Sequence, residues 1–269
     1  MILTLFPRPI LAAMILFACA AVGSSAPPDP RDTLHQTSTI NAILDGRYDG
    51  LITCGDLKRL GDTGIGTFHA LDGEMILLTG IVFQVRADGS VTQVPDSATS
   101  PFACVTFFET DIAVHVNNVT NLTELCRILD GLIPDKNIPC SVRLTGTFPY
   151  VKTRSVPRQD KPYPKLVEVT ASQPEFEFHN VKGDLVGFWS PDWVKALNVP
   201  GFHLHFLTAN RTGGGHLLDC HIAEAEGGLD ITPAFLIQLP PSATHGADLS
   251  NDRHEELNAS EKVKERNNP

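Results

Sequence analysis

In GFHLHFLTANRTGGGHLLDC, residues 201–220, three histidines are spaced for metal chemistry. His203 and His205 alternate with Phe202, Leu204 and Phe206, and His216 opens the apolar run that follows a glycine-rich turn. Successive side chains of an extended strand point to opposite faces, so His203 and His205 share one face and the apolar residues the other. Thr212, Gly213, Gly214 and Gly215 let the chain reverse and bring His216 back to the same region. Three neutral imidazoles converging in this way suit Zn²⁺ with coordination positions left for water or substrate. That is the pattern of a catalytic zinc rather than of a four-ligand structural one.

The elements that must position these residues are legible in outline. Residues 38–50, STINAILDGRYDG, carry Ile40, Ile43 and Leu44 at helical spacing behind a Ser/Thr cap. A second short helix, TCGDLKRLG, has Thr53 and Asp56 as a capping pair and Gly61 as its stop. Residues 64–94 are cut by Asp72-Gly73, Thr79-Gly80 and Asp88-Gly89, the signature of an antiparallel meander. FACVTFFE adds a strand, and NLTELCRILDGL is an amphipathic helix with an Asn121/Glu124 capping signal. CSVRLTGTFPYVKTRSV predicts two strands around Gly146–Pro149, and KLVEV, EFEFHN, LVGFWSP, the histidine hairpin and LDITPAFLIQL a second strand-rich block. The expected fold is α+β and β-rich, in two packed subdomains with mixed and antiparallel sheets and a few short helices. Their expected ranges are 34–178 for an N-terminal α+β subdomain and 179–240 for a C-terminal β subdomain with the zinc hairpin. Beyond Pro240 the composition is that of a solvated, disordered tail.

The first residues read as a targeting segment. ILAAMILFACAAVGSSA follows Arg8, has the length of a signal-peptide core and ends in small residues suited to cleavage, so residues 1–26 predict export, with 27–33 a Pro-rich leader. LFAC loosely resembles a lipobox, but Phe17 fits it poorly. N-x-S/T sequons at Asn118, Asn121, Asn210 and Asn258 fit a secreted glycoprotein. Loss of the signal removes Cys19 and leaves Cys54, Cys104, Cys126, Cys140 and Cys220. An odd number rules out a complete disulfide framework and leaves a Cys126–Cys140 pair and buried free thiols both open. The net charge of −10 argues against nucleic acid and anionic membrane surfaces.

The blocks STINAILDGRYDG, GDTGIGTFHALDGEMI, SPFACVTFF, TRSVPRQDKPYP and the histidine hairpin resemble, in order and spacing, the successive blocks of the acetolactate decarboxylase family. The resemblance implies a zinc enzyme that converts 2-acetolactate to acetoin and carbon dioxide. It places the zinc ligands at His203, His205 and His216, a carboxylate at Glu74 and an arginine at Arg154. It draws a further glutamate from the tail, at Glu261 with Glu256 and Glu255 as alternatives, which requires residues 241–269 to fold back to the site.

Decarboxylation of such a substrate leaves an electron pair that the adjacent ketone can accept as an enediolate, and Zn²⁺ chelated by the hydroxyl and carbonyl oxygens would stabilise it. Arg154 is then a bidentate clamp for the substrate carboxylate or the enediolate, and Glu74 and Glu261 are the proton-handling groups. Two other functions use the same histidines: a zinc hydratase of the carbonic anhydrase kind, and a secreted module that holds zinc without turnover. The partners expected are the small-molecule substrate and a homodimeric copy, with no nucleic acid and no membrane in the mature form.

Overall fold

The computed structural model describes residues 29–241 and 245–261. The expected signal peptide with Cys19 lies outside the described residues, as do the first two residues of the leader and the end of the tail.

In chain order the elements are β1 (Thr33–Thr37), α1 (Ile40–Leu44), β2 (Ile52–Thr53), α2 (Cys54–Leu60), β3 (Thr63–Thr67), β4 (Glu74–Leu78), β5 (Ile81–Val85), β6 (Val91–Gln93), β7 (Thr99–Ser100), β8 (Ala103–Thr106) and β9 (Ile112–Val119). There follow α3 (Leu122–Asp130), β10 (Cys140–Arg154), α4 (Leu166–Thr170), β11 (Glu175–Ser190), β12 (Gly201–Thr208), β13 (Gly214–Ile231), β14 (Ala234–Gln238) and α5 (His254–Glu261). The fold is β-rich α+β with few short helices.

The helix starts follow the local chemistry. Thr39, Thr53 and Asn121 each accept a backbone N–H of the first turn, at Ala42, Asp56 and Glu124, satisfying donors that a helix leaves unpaired. The three-turn meander from β3 to β6 is antiparallel throughout. It sits in a seven-stranded sheet ordered β14-β1-β8-β3-β4-β5-β6, in which β1 and β14 pair in parallel.

The second sheet, ordered β10-β11-β12-β13-β9, closes on itself because β13 pairs with β10 as well as with β12. The ring of β10–β13 encloses Val142, Leu144, Phe148, Leu185, Leu204 and Phe206, and α3 covers its neighbour β9 with Leu125 and Leu129. A second core fills the space between the sheets, joining Ile65, Ile76 and Val85 of the first to Val186, Phe188 and Leu207 of the second. The alternation on β12 therefore has a definite meaning. Leu204 and Phe206 point into the ring, and the opposite face of the strand looks across at the first sheet.

Three expectations are corrected. Residues 140–154 form one strand rather than two, because β10 keeps both neighbours through Gly146, whose Cβ position would meet Glu224 O at 2.3 Å. EFEFHN and LVGFWSP likewise merge into the single strand β11. KLVEV ends in the short helix α4, whose buried Leu166 and Val169 pack as a helical pair. The two sheets interleave along the chain: β9 and β10 belong to the second sheet, and β14 returns to the first. Cys54, Cys104, Cys126, Cys140 and Cys220 are free thiols, so Cys126 and Cys140 do not pair.

Candidate active site

Direct cross-strand neighbours share a face, and three of them form a row. His205 on β12 lies opposite His216 on β13, and His216 lies opposite Arg154 at the end of β10. The row depends on a β-bulge. Lys152 pairs with Asp219 but Thr153 pairs with Leu217, so Leu218 is an extra residue on β13. One extra residue reverses the facing of all that follows, which turns His216 toward the first sheet rather than into the ring. Gly215, at φ +127°, permits the close approach, for a Cβ there would stand 2.4 Å from Arg154 O.

His203 completes the set from two residues along β12. The three imidazole rings have centroids 5.0–5.4 Å apart, and each offers a ring nitrogen within 4.8 Å of the others. Burial holds all three below their ordinary pKa, His205 and His216 well below, so they are neutral and carry ligand lone pairs. His205 Nδ1 donates to Met75 O at 2.9 Å, which fixes the tautomer and leaves Nε2 as the bare nitrogen. That Nε2 is fully buried and has no hydrogen-bond partner among the described residues. An orphaned imidazole nitrogen facing two others is what a metal ligand set requires. The residues fit a divalent ion, and an all-imidazole donor set with free positions fits zinc.

Two carboxylates from distant parts of the chain close the site. Glu74, the first residue of β4, places Oε2 3.7 Å from His205 Nε2 and Oε1 3.8 Å from Arg154 Nη1. Its burial pushes the carboxyl up to about 7, with Arg154 pulling the other way. Glu261, the last described residue and the end of α5, lies with Oε2 3.2 Å from Arg154 Nη2, 3.4 Å from His216 Nε2 and 3.9 Å from His203 Nε2. Glu255 and Glu256, in the first turn of the same helix, make none of these contacts; Glu256 instead holds Arg253.

Sequence reasoning missed Gln173, whose Oε1 accepts from Arg154 Nη1 at 2.8 Å. Nothing in its local sequence marks it, because the contact is made across a strand-to-strand connection. Arg154 Nε is buried and unpartnered among the described residues, so one donor of the fork is unsatisfied, and Arg154 lines the pocket. The pocket, about 50 Å³, is walled by Ile40, Ile43, Leu71, Phe102, Val156 and Leu166 as well as by the charged residues. A small anion with short apolar groups suits such a lining. The remaining histidines, His35, His69, His115, His179, His221, His245 and His254, lie outside it.

The chain from residue 34 to residue 251 matches the family model described as alpha-acetolactate decarboxylase. It is 48% identical over 232 residues to the alpha-acetolactate decarboxylase of Methanosarcina mazei, covering 86% of this chain and 81% of that protein. To the enzyme of the same name from Brevibacillus brevis it is 46% identical over 218 residues, 80% of this chain and 76% of the other. Its fold superposes on the crystal structure of alpha-acetolactate decarboxylase from Bacillus subtilis strain 168 with a TM-score of 0.83 at 33% identity, covering 86% of this chain and all (100%) of that one.

Proposed function

Because this chain belongs to the alpha-acetolactate decarboxylase family, we propose that it is the carboxy-lyase that converts 2-acetolactate to acetoin and carbon dioxide, with zinc held by His203, His205 and His216. The observation that supports this reading best is the meeting of three neutral imidazoles, one guanidinium and two carboxylates in one small pocket between the sheets.

Zinc bound there would supply a Lewis acid for the hydroxyl and ketone oxygens of the substrate. The remaining work falls to side chains. Arg154, held by Gln173 and Glu261, lines the pocket as the cation that receives the substrate's carboxylate and orients the bond to be broken. That C–C bond cleaves, carbon dioxide leaves, and the electron pair passes to the neighbouring ketone oxygen as an enediolate. Once the carboxylate has gone, the guanidinium faces the developing oxyanion, so its attraction grows along the reaction. Glu74 and Glu261 stand beside different terminal nitrogens of Arg154 and are the groups that deliver a proton to carbon and return the hydroxyl proton. Ile40, Ile43, Leu71 and Phe102 exclude water and seat the methyl groups.

The test is acetoin release, measured colorimetrically on protein as purified, after chelator dialysis and after re-addition of zinc, with metal content determined in each sample. Activity should vanish on chelation and return with zinc. Full turnover by metal-free protein would overturn the zinc assignment, and metal-replete protein that leaves 2-acetolactate intact would overturn the activity. Export of the mature chain is a separate proposal from the N-terminal segment; mass spectrometry of the protein in medium and cells tests it, by the presence or absence of a chain cut near residue 26.

A further inference from the structure

Arg253 occupies a position that local helix physics does not favour. Its carbonyl accepts the Leu257 N–H at 2.9 Å, which places it at the N-terminal boundary of α5. Such positions prefer a short side chain with an acceptor oxygen, and the positive end of the helix dipole repels a cation. The local needs are met by others. Asp252 Oδ1 accepts the His254 N–H at 3.0 Å, and Glu255 and Glu256 supply the favourable negative charge.

The guanidinium of Arg253 is directed instead at α1. Nη1 donates to Asn41 O at 3.3 Å and stands 3.5 Å from Asp45 Oδ1, while Nη2 meets Glu256 Oε2 at 2.5 Å. Its side chain is 7% exposed. Beside it the Asn41 amide donates to Leu249 O at 3.3 Å and Asn251 O at 3.1 Å, so α1 grips the chain before α5 from both sides of one turn. Below these contacts Leu257 packs with Ile40, Ile43, Leu44 and Leu166.

We propose that Arg253, acting with Asp45 and Asn41, is a positioning residue that latches α5 so that Glu261 stands at the reacting centre. The proposal rests on the reading that Glu261 takes part in the reaction. A two-turn helix has no stability of its own, so its direction must come from tertiary contacts. Leu257 and Ser260 are the residues that α5 buries, and one leucine does not fix a rotation. Arg253 and Glu261 are eight residues apart, roughly 12 Å along the helix axis. A small tilt at the latch therefore moves the carboxylate out of the 3.2–3.9 Å distances it keeps to Arg154, His216 and His203.

Arg253→Ala, Arg253→Lys, Asp45→Asn, Glu261→Gln and the Arg253→Ala/Glu261→Gln double variant test the latch in the metal-loaded protein. Steady-state kinetics with 2-acetolactate and hydrogen–deuterium exchange of residues 254–261 are the two readouts. Arg253→Ala should lower kcat about 10–100-fold with KM little changed, the scale of a displaced catalytic group. It should also speed exchange in α5. Asp45→Asn, which breaks the same ion pair from α1, should act in the same direction, and Arg253→Lys should recover much of the loss. The double variant should be no slower than Glu261→Gln alone. Wild-type kcat and unchanged exchange in both Arg253→Ala and Asp45→Asn would overturn the latch, as would an additive loss in the double variant. Full activity of Glu261→Gln would instead refute the role of Glu261, with exchange in α5 still deciding whether Arg253 holds the helix.

Discussion

Arg154→Lys keeps the positive charge at the centre of the site and removes the planar fork. In the structure that fork reaches Gln173 at 2.8 Å and Glu261 at 3.2 Å from different nitrogens, and its buried Nε–H is a third donor, without a partner among the described residues. One ammonium group cannot be in all three places. At an effective dielectric of about 20, the attraction between Arg154 and Glu261 alone is roughly 5 kcal/mol before desolvation is counted. The net worth of a charged hydrogen bond is smaller, about 1.5–3 kcal/mol. If lysine loses one such bond to the transition state, kcat/KM should fall by roughly 10–150-fold, at about 1.4 kcal/mol per factor of ten. Arg154→Ala should be worse on two counts. It removes the clamp and leaves the half-buried Glu261 without its counter-charge, a defect that costs at most the ~3–5 kcal/mol of stability lost when a fully buried pair is broken. The assay is acetoin formation over a substrate series, with bound zinc measured in each preparation and unfolding followed by urea. Wild-type kcat/KM in Arg154→Lys would refute the argument that the fork is needed. Loss of zinc from Arg154→Lys would show that the arginine acts through the metal site rather than on substrate.

Gln173→Ala should lower kcat/KM by about 5–10-fold, since a neutral hydrogen bond contributes about 1 kcal/mol, and Gln173→Glu should restore orientation through a charged acceptor; equal rates in wild type and Gln173→Ala would sink the idea. Gly215→Ala should reduce zinc occupancy and destabilise the fold by at least 1–2 kcal/mol, because both its φ and the 2.4 Å approach to Arg154 O exclude a side chain; an unchanged urea midpoint and full zinc would contradict this. Asp230 is a pH-dependent liability. Burial pushes its carboxyl up to about 7, while its unfolded value is near 3.8, so the native state keeps a proton that the unfolded state has lost. Its stability contribution therefore falls as pH rises from about 4 to about 7. Asp230→Asn, which can still accept from Ser141, should gain on wild type across that window by on the order of 2 kcal/mol. A stability difference that does not change with pH would refute the assignment.

Much of the site was legible before the fold was known, because periodicity and turn chemistry are local. Alternation on β12 set His203 and His205 on the face opposite Leu204 and Phe206, and the glycine run marked the turn before His216. A Ser/Thr cap located α1, and capping pairs located α2 and α3, for the same reason. The family blocks supplied Glu74 and Arg154, which spacing by itself reads as a strand-end charge and a surface strand residue. Where the reading failed, the deciding contacts were distant in sequence. Gly146 looked like a break between two strands, yet β10 runs through it because Val181–Gly183 and Glu224–Ala225 pair on either side. For residues 254–261 composition alone reads as solvated tail and only the family resemblance asked them to fold back; they form a helix gripped by Asn41 and held by a single buried leucine.

By itself, then, the sequence determined the types of group available, the local alternation and reversal that bring three histidines near one another, and the helix starts. Those follow from backbone geometry over a few residues. Tertiary structure decided which way the groups face and what they meet. The bulge at Leu218 turns His216 toward the first sheet to stand beside Arg154, Met75 O selects the tautomer of His205, and α1 steers Glu261 across the pocket. Burial then raises Glu74 and lowers the histidines. Facing and burial both belong to the packed sheets, because each depends on residues that no local stretch of the chain contains.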